Sequence, residues 1–192
     1  MKSIFVLKRT DSITLILSMA CKFLSQIPFT KWLLLLGLVA CSPAPRESAF
    51  AGPEVYFPIT VGDTELELQL AIHPKEQARG LMFREALAPR HGMLFVFAEP
   101  KQRSFWMRNT LLPLDLAYFD AEGRLVESHR LYPHDEEPVL SRSNEIKFAL
   151  ELEQGQMTAL GIKTGDSLDR KALVQALTSR GLDPKSYIHT NP

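Results

Sequence analysis

Thr64-Glu65-Leu66-Glu67-Leu68-Gln69-Leu70-Ala71-Ile72 alternates along its length, with Leu66, Leu68, Leu70 and Ile72 on one parity and Glu65, Glu67 and Gln69 on the other. Apolar side chains at period two line one face of a pleated strand, whereas a helix repeats its apolar stripe at about 3.6 residues. The stretch therefore reads as a half-buried β-strand. Gly62-Asp63 just before it is a turn pair, and Glu54 to Val61 reads as the partner strand, so the two form a hairpin.

Working outward, Pro74 opens a short helix over Lys75 to Leu81, since a proline loses no hydrogen bond in a first helical turn. Gly92-Met93-Leu94-Phe95-Val96-Phe97 is apolar on both parities, the pattern of a central strand covered on both faces. Arg103 to Met107 is the next expected strand. Leu114 to Phe119 and Arg124 to Leu131 flank the tight-turn sequence Asp120-Ala121-Glu122-Gly123 and give a second hairpin. Residues 132–144 form a polar loop. Glu145 to Leu152 alternates again, Gln154 to Leu160 is a helical turn or two, and Leu168 to Thr178 is an amphipathic helix ending at Gly181. Short strands at close spacing predict a mainly β fold, a compact antiparallel β-sandwich or barrel with short accessory helices. Leu66, Leu68, Leu70, Leu94, Val96, Leu116, Phe148 and Leu150 are expected to point inward.

The first 41 residues carry targeting information. Lys22 and Lys31 precede the apolar run Trp32 to Val39, which ends in Ala40-Cys41, the layout of a signal peptide. The run is shorter than the ~20 apolar residues of a spanning helix. Leu38-Val39-Ala40-Cys41 resembles the lipobox of bacterial lipoproteins, which implies a lipidated Cys41 and a membrane partner reached through that lipid. Ser42 resembles the residue that permits transport to the outer membrane, which implies a lipoprotein facing the periplasm. From Met19 the leader has ordinary proportions, which makes that methionine a candidate start. Residues 42–53 read as a flexible tether, residues 54–168 as one β domain and residues 169–192 as a C-terminal helix and tail.

The chain has two cysteines, Cys21 in the leader and Cys41 at the cut, so the mature domain has no disulfide, no cysteine-ligated zinc and no cysteine nucleophile. Of 22 basic and 22 acidic residues, five basic and one acidic fall within 1–41, leaving 17 against 21, a net −4. That balance and the lack of a basic stripe argue against nucleic acid as a partner.

The richest chemistry lies in Ser104 to Asp115, where Trp106, Asn109, Thr110 and Asp115 sit among apolar residues. A buried carboxylate or amide is costly without partners. Arg79 matches a carboxylate bidentately, so an Arg79–Asp115 pair is the simplest solution, either purely structural or at the edge of a ligand pocket. Trp106 would floor that pocket, Met82, Met93 and Met107 would wall it, and Asn109 and Thr110 would supply polar contacts. The same apolar residues equally suit ordinary core, because methionine fills irregular gaps. His73, His91, His129, His134 and His189 have no paired spacing, so no zinc site and no cofactor are expected. Copper(I) on the three methionines is the weaker metal alternative. There is no GxSxG elbow. Asp115 is the candidate general acid or base.

Arg79-Gly80-Leu81-Met82-Phe83-Arg84, Gly92-Met93-Leu94-Phe95-Val96-Phe97 and Phe105-Trp106-Met107-Arg108-Asn109-Thr110-Leu111-Leu112-Pro113-Leu114-Asp115 together resemble the uncharacterised family DUF192, also called UPF0127. The likeness continues through Gly123, Leu150-Glu151-Leu152, Gly155 and Leu160 to Asp166, spanning roughly residues 55–168. It implies a small jelly-roll-like β domain, often exported, with no established activity. The acidic loop Asp135-Glu136-Glu137 and the helix after Asp166 lie outside the pattern. Two functions from different classes follow. One is a lipid-anchored module binding a small polar or sugar-like ligand in the envelope, and the other is an envelope enzyme using Asp115. A structural role in envelope assembly is the third.

Overall fold

The computed structural model describes residues 50–188. The leader, Cys41 and nearly all of the tether lie outside the described residues. The strands are β1 (Tyr56–Val61), β2 (Thr64–Ala71), β3 (His91–Lys101), β4 (Ser104–Phe105), β5 (Leu114–Phe119), β6 (Leu125–Leu131), β7 (Val139–Leu140) and β8 (Ile146–Glu153). The helices are α1 (Pro74–Arg79), α2 (Gln156–Ala159) and α3 (Arg170–Ser179), followed by a 3-10 turn at Pro184–Ser186.

Six strands form one sheet in the order β1-β2-β3-β8-β5-β6, and β4 pairs with β7 in a separate two-stranded ribbon. Both hairpins form as expected, β1 with β2 and β5 with β6. The all-antiparallel expectation fails at one junction: β2 and β3 run parallel, with Leu68 opposite Gly92 and Leu70 opposite Leu94. Parallel neighbours need a long crossover, and residues 72–90, which include α1, provide it. The sheet is mixed and does not close into a barrel, since β1 and β6 are its two edges.

Strand alternation divides the core between the two faces of this sheet. On the first face Leu66, Leu68, Leu70, Leu94, Val96, Phe148, Leu150 and Leu152 pack with Leu173, Ala176 and Leu177 of α3. The C-terminal helix therefore covers the sheet rather than decorating it. On the second face Met93, Phe95, Phe97, Leu114, Leu116, Tyr118 and Ala149 pack with Leu81, Met107 and Leu112, and Phe105 and Val139 of the ribbon lie against them. Leu116 is buried as expected but belongs to this second face. Gly92 sits where β3 meets β8, and a Cβ there would lie 2.4 Å from the carbonyl oxygen of Glu151, so only glycine lets the two central strands approach.

Helix α1 is tied down at several points. Gln77 Nε2 donates to the carbonyls of Ile72 (3.1 Å) and Val96 (3.0 Å). Glu76 accepts from the N–H groups of Ile72 and His73 and pairs with the buried Arg180 just after α3. Burial works against the Glu76 charge, but those two N–H groups and the Arg180 guanidinium hold its carboxyl below the usual range.

Candidate functional site

Glu151 lies on β8, the strand between β3 and β5, opposite Met93 on one side and Leu116 on the other. Pleat parity sends its side chain to the second face, with Lys147 and Ala149. Both neighbouring strands are covered there, so the residue is only 4 % exposed. Its Oε2 is buried with no hydrogen-bond partner among the described residues. Burial pushes its pKa up to about 8, which keeps it protonated at neutral pH.

Above Glu151 opens a cleft of about 300 Å³. Phe95, Phe97 and Glu151 form its floor. Gln77, Arg79 and Gly80 from α1 and its end, with Leu81 and Met82, form one wall, and Gln102 to Trp106 form the other, with Thr110 also lining it. Gly80 turns the chain at φ +48 and ψ −133, a conformation open to glycine, and a Cβ there would meet the Phe95 ring at 3.3 Å and Glu151 Oε2 at 3.7 Å. The glycine thus lets the backbone after α1 approach the carboxyl.

Aromatic packing fixes the far wall. Phe105 meets Phe95 edge to face at 4.9 Å and Tyr118 at 5.7 Å. The Tyr118 hydroxyl donates to the Val139 carbonyl at 2.9 Å, which holds the ribbon to the sheet, and burial together with Glu127 and Glu151 pushes its pKa up. Arg103 stacks on Phe97, with its guanidinium carbon 3.8 Å from the ring centre, and donates to the carbonyls of Glu99 and Ile146. Arg103 is therefore committed. Arg79 is exposed; its carbonyl accepts from the Met82 N–H, and its guanidinium makes no hydrogen bond or ion pair among the described residues. Lys147 donates to the Ala98 carbonyl, and its pKa is lowered by burial and by Arg103.

Of the residues expected from the sequence, the cleft brings together Arg79, Met82, Trp106 and Thr110. Trp106 stands at the rim rather than the floor. It is 45 % exposed, with the Arg108 guanidinium 4.3 Å from its ring centre. Met93 joins Arg79 and Met82 in a neighbouring groove, and Met107 is enclosed in the core. The three methionines are thus not gathered in one place. Asn109 is exposed at φ +55 and gives its carbonyl to the Phe83 N–H, so it shapes a turn.

Asp115 and Arg79 do not pair. Asp115 shares a parity with Ala117 and Phe119 and so lies on the first face, with the sheet between it and the cleft. Its Oδ2 accepts from the N–H groups of Gly155 (2.8 Å) and Met157 (3.3 Å), satisfying the start of α2. Glu151 is the site residue that sequence reasoning passed over, treating it only as the polar parity of an alternating strand. Among the described residues no group of three or more His, Cys, Asp or Glu could hold a metal ion.

A chemically coherent cleft results: a protonated acid below, aromatic and aliphatic walls, and one free guanidinium at the mouth. The surface that the cleft presents is more polar than apolar, which suits a small polar ligand.

The family model DUF192, described as an uncharacterised group, matches residues 57–170. A solved structure of a protein of unknown function from Novosphingobium aromaticivorans DSM 12444 is similar at 33% identity and TM-score 0.57, covering 66% of this chain and 99% of its own. That of a putative transcription regulator from Sinorhizobium meliloti 1021 is similar at 33% identity and TM-score 0.58, covering 64% of this chain and 96% of its own. No match is found among curated proteins.

Proposed function

The chain belongs to the DUF192 family, and we propose that it is a lipid-anchored protein of the bacterial cell envelope that binds a small polar ligand in the cleft above Glu151. The observation that carries this reading is the buried carboxyl whose Oε2 has no partner at the floor of an open cleft. An unsatisfied buried polar atom costs about 1–3 kcal/mol, and a ligand that donates to it or accepts from it recovers that cost. The anchor rests on Leu38-Val39-Ala40-Cys41, and the outer-membrane address on Ser42. Among the described residues no helix is long and apolar enough to cross a membrane. The acidic excess after Cys41 supports a partner other than nucleic acid.

The same carboxyl supports a second reading. A carboxylic acid held neutral at pH 7 is suited to general acid catalysis. In that case Glu151, rather than Asp115 on the opposite face, is the acid of an envelope enzyme.

A thermal-shift screen of small polar metabolites and sugars tests the binding reading. Compounds that raise the Tm of wild type by several degrees, lose that effect in Glu151→Leu and emerge chemically unchanged are the expected result. Equal shifts in both proteins would contradict it, and turnover that vanishes with Glu151→Gln would favour the enzyme. For the anchor, a fatty-acid analogue should label wild type and leave Cys41→Ser unlabelled, and equal labelling would remove lipidation from the account.

A further inference from the structure

Resting on the cleft as a ligand site, we infer that its ligand is a small carboxylate, held between the Arg79 guanidinium at the mouth and the Glu151 carboxyl on the floor. Arg79 is the wall's one cation among the described residues without an internal partner, whereas Arg103 is spent on Phe97, Glu99 and Ile146. A single free guanidinium matches a planar, singly charged acid, since its paired N–H groups meet two oxygens at once. A phosphate, with more charge, calls for more than the one free cation among the described residues of this lining. Trp106, 45 % exposed at the rim, offers the remainder of a small ligand an aromatic face.

The floor explains why an acid, rather than a base, serves an anion. Protonated Glu151 donates its O–H to a ligand oxygen, whereas ionised Glu151 repels it. An anion bound there further favours the protonated form, so binding retains or takes up one proton. The charged and titratable groups around Glu151 are Arg79 at the end of α1, Arg103 before β4, Lys147 on β8 and Tyr118 on β5. Guanidinium groups stay charged in proteins at these pH values, and Tyr118, pushed up by burial, stays neutral. Lys147 has a lowered pKa and is separated from the effect by a variant that lacks only the Glu151 proton.

The experiment is calorimetric titration of the full chain in detergent with benzoate and with its uncharged amide, benzamide, at pH 6.5 and 9.5. Benzoate is expected to bind more tightly than benzamide at pH 6.5. It should weaken about thirtyfold at pH 9.5, the loss expected when a required proton leaves a group of pKa about 8. Glu151→Gln, whose amide still donates, should bind benzoate with a flat pH profile, and Arg79→Met should weaken benzoate at least tenfold while sparing benzamide. Equal binding of acid and amide, unchanged by Arg79→Met, overturns the carboxylate assignment and leaves the cleft as a site for neutral ligands. Binding of neither overturns the inference and counts against the cleft itself. A Glu151→Gln profile as steep as wild type assigns the proton to another group, such as Lys147, and overturns Glu151's part.

Discussion

Replacing Glu151 by glutamine should make the protein more stable, and increasingly so as the pH rises. In the folded state burial raises the carboxyl to about 8, whereas in the unfolded chain it titrates near its ordinary value of 4.5. A folded pKa above the unfolded one means that the folded state binds the extra proton. The associated stability is complete below about 4.5 and is lost as the pH rises towards 8. At about 1.4 kcal/mol per pH unit, wild type loses about 3 kcal/mol of unfolding free energy between pH 5 and 7.5 through this one group. Glutamine has nearly the shape of the neutral acid and no proton to lose, so it is spared that loss. Urea unfolding followed by circular dichroism at half-unit steps from pH 5 to 8.5 measures both proteins. Every other titrating group, the depressed Glu76 included, is common to the pair and cancels in the difference. The expected result is a difference in favour of Glu151→Gln that grows by about 3 kcal/mol between pH 5 and 7.5. Parallel profiles would mean that the carboxyl is solvated or ionised like a surface group, and the reasoning behind the site would fail.

The remaining predictions concern the scaffold. Leu68→Ala removes a fully enclosed side chain from the first face and should cost ~2–5 kcal/mol by urea unfolding; a loss below ~0.5 kcal/mol would place that face in solvent. Gly92→Ala sets a Cβ against the Glu151 carbonyl and should cost ~1–3 kcal/mol, and a neutral effect would mean that β3 and β8 are not so close. Asp115→Ala leaves the N–H groups of Gly155 and Met157 without their acceptor and should cost ~1–3 kcal/mol, while ligand-induced thermal shifts stay at the wild-type value. Loss of ligand response at full stability in that variant would move the site to the other face.

The strands were legible wherever burial differs between their faces. Thr64 to Leu68 alternates because one side meets the α3 side of the core, although Gln69 and Ala71 on the other parity are buried too, and His91 to Phe97 is apolar on both parities because it is covered twice. The parallel pairing of β2 and β3 was hidden, because an alternating strand reads as half of a hairpin and the crossover contains only six helical residues. The expected strand at Arg103 to Met107 shrinks to Ser104–Phe105, since Trp106 turns out to the rim and Met107 turns in. For the site, Arg79, Met82, Trp106 and Thr110 could be read from a polar cluster inside an apolar run. Asp115 could not be placed, because its partners are backbone N–H groups forty residues away that no side-chain pattern announces. Glu151 carried one signal that could have found it. Its strand, Ile146 to Glu153, is flanked by apolar residues on both sides of Glu151, and a glutamate set among Ala149, Leu150 and Leu152 is one that needs a partner or a ligand.

Methionine methyl NMR reads whether ligand enters the cleft above Glu151 or the opposite face. Met82 lines the cleft, Met107 is enclosed, and Met157 stands beside Asp115 across the sheet. With ¹³C-methyl methionine and a compound that stabilises wild type in the thermal screen, the Met82 resonance should shift while Met157 stays in place. A shift at Met157 with Met82 unmoved would contradict it.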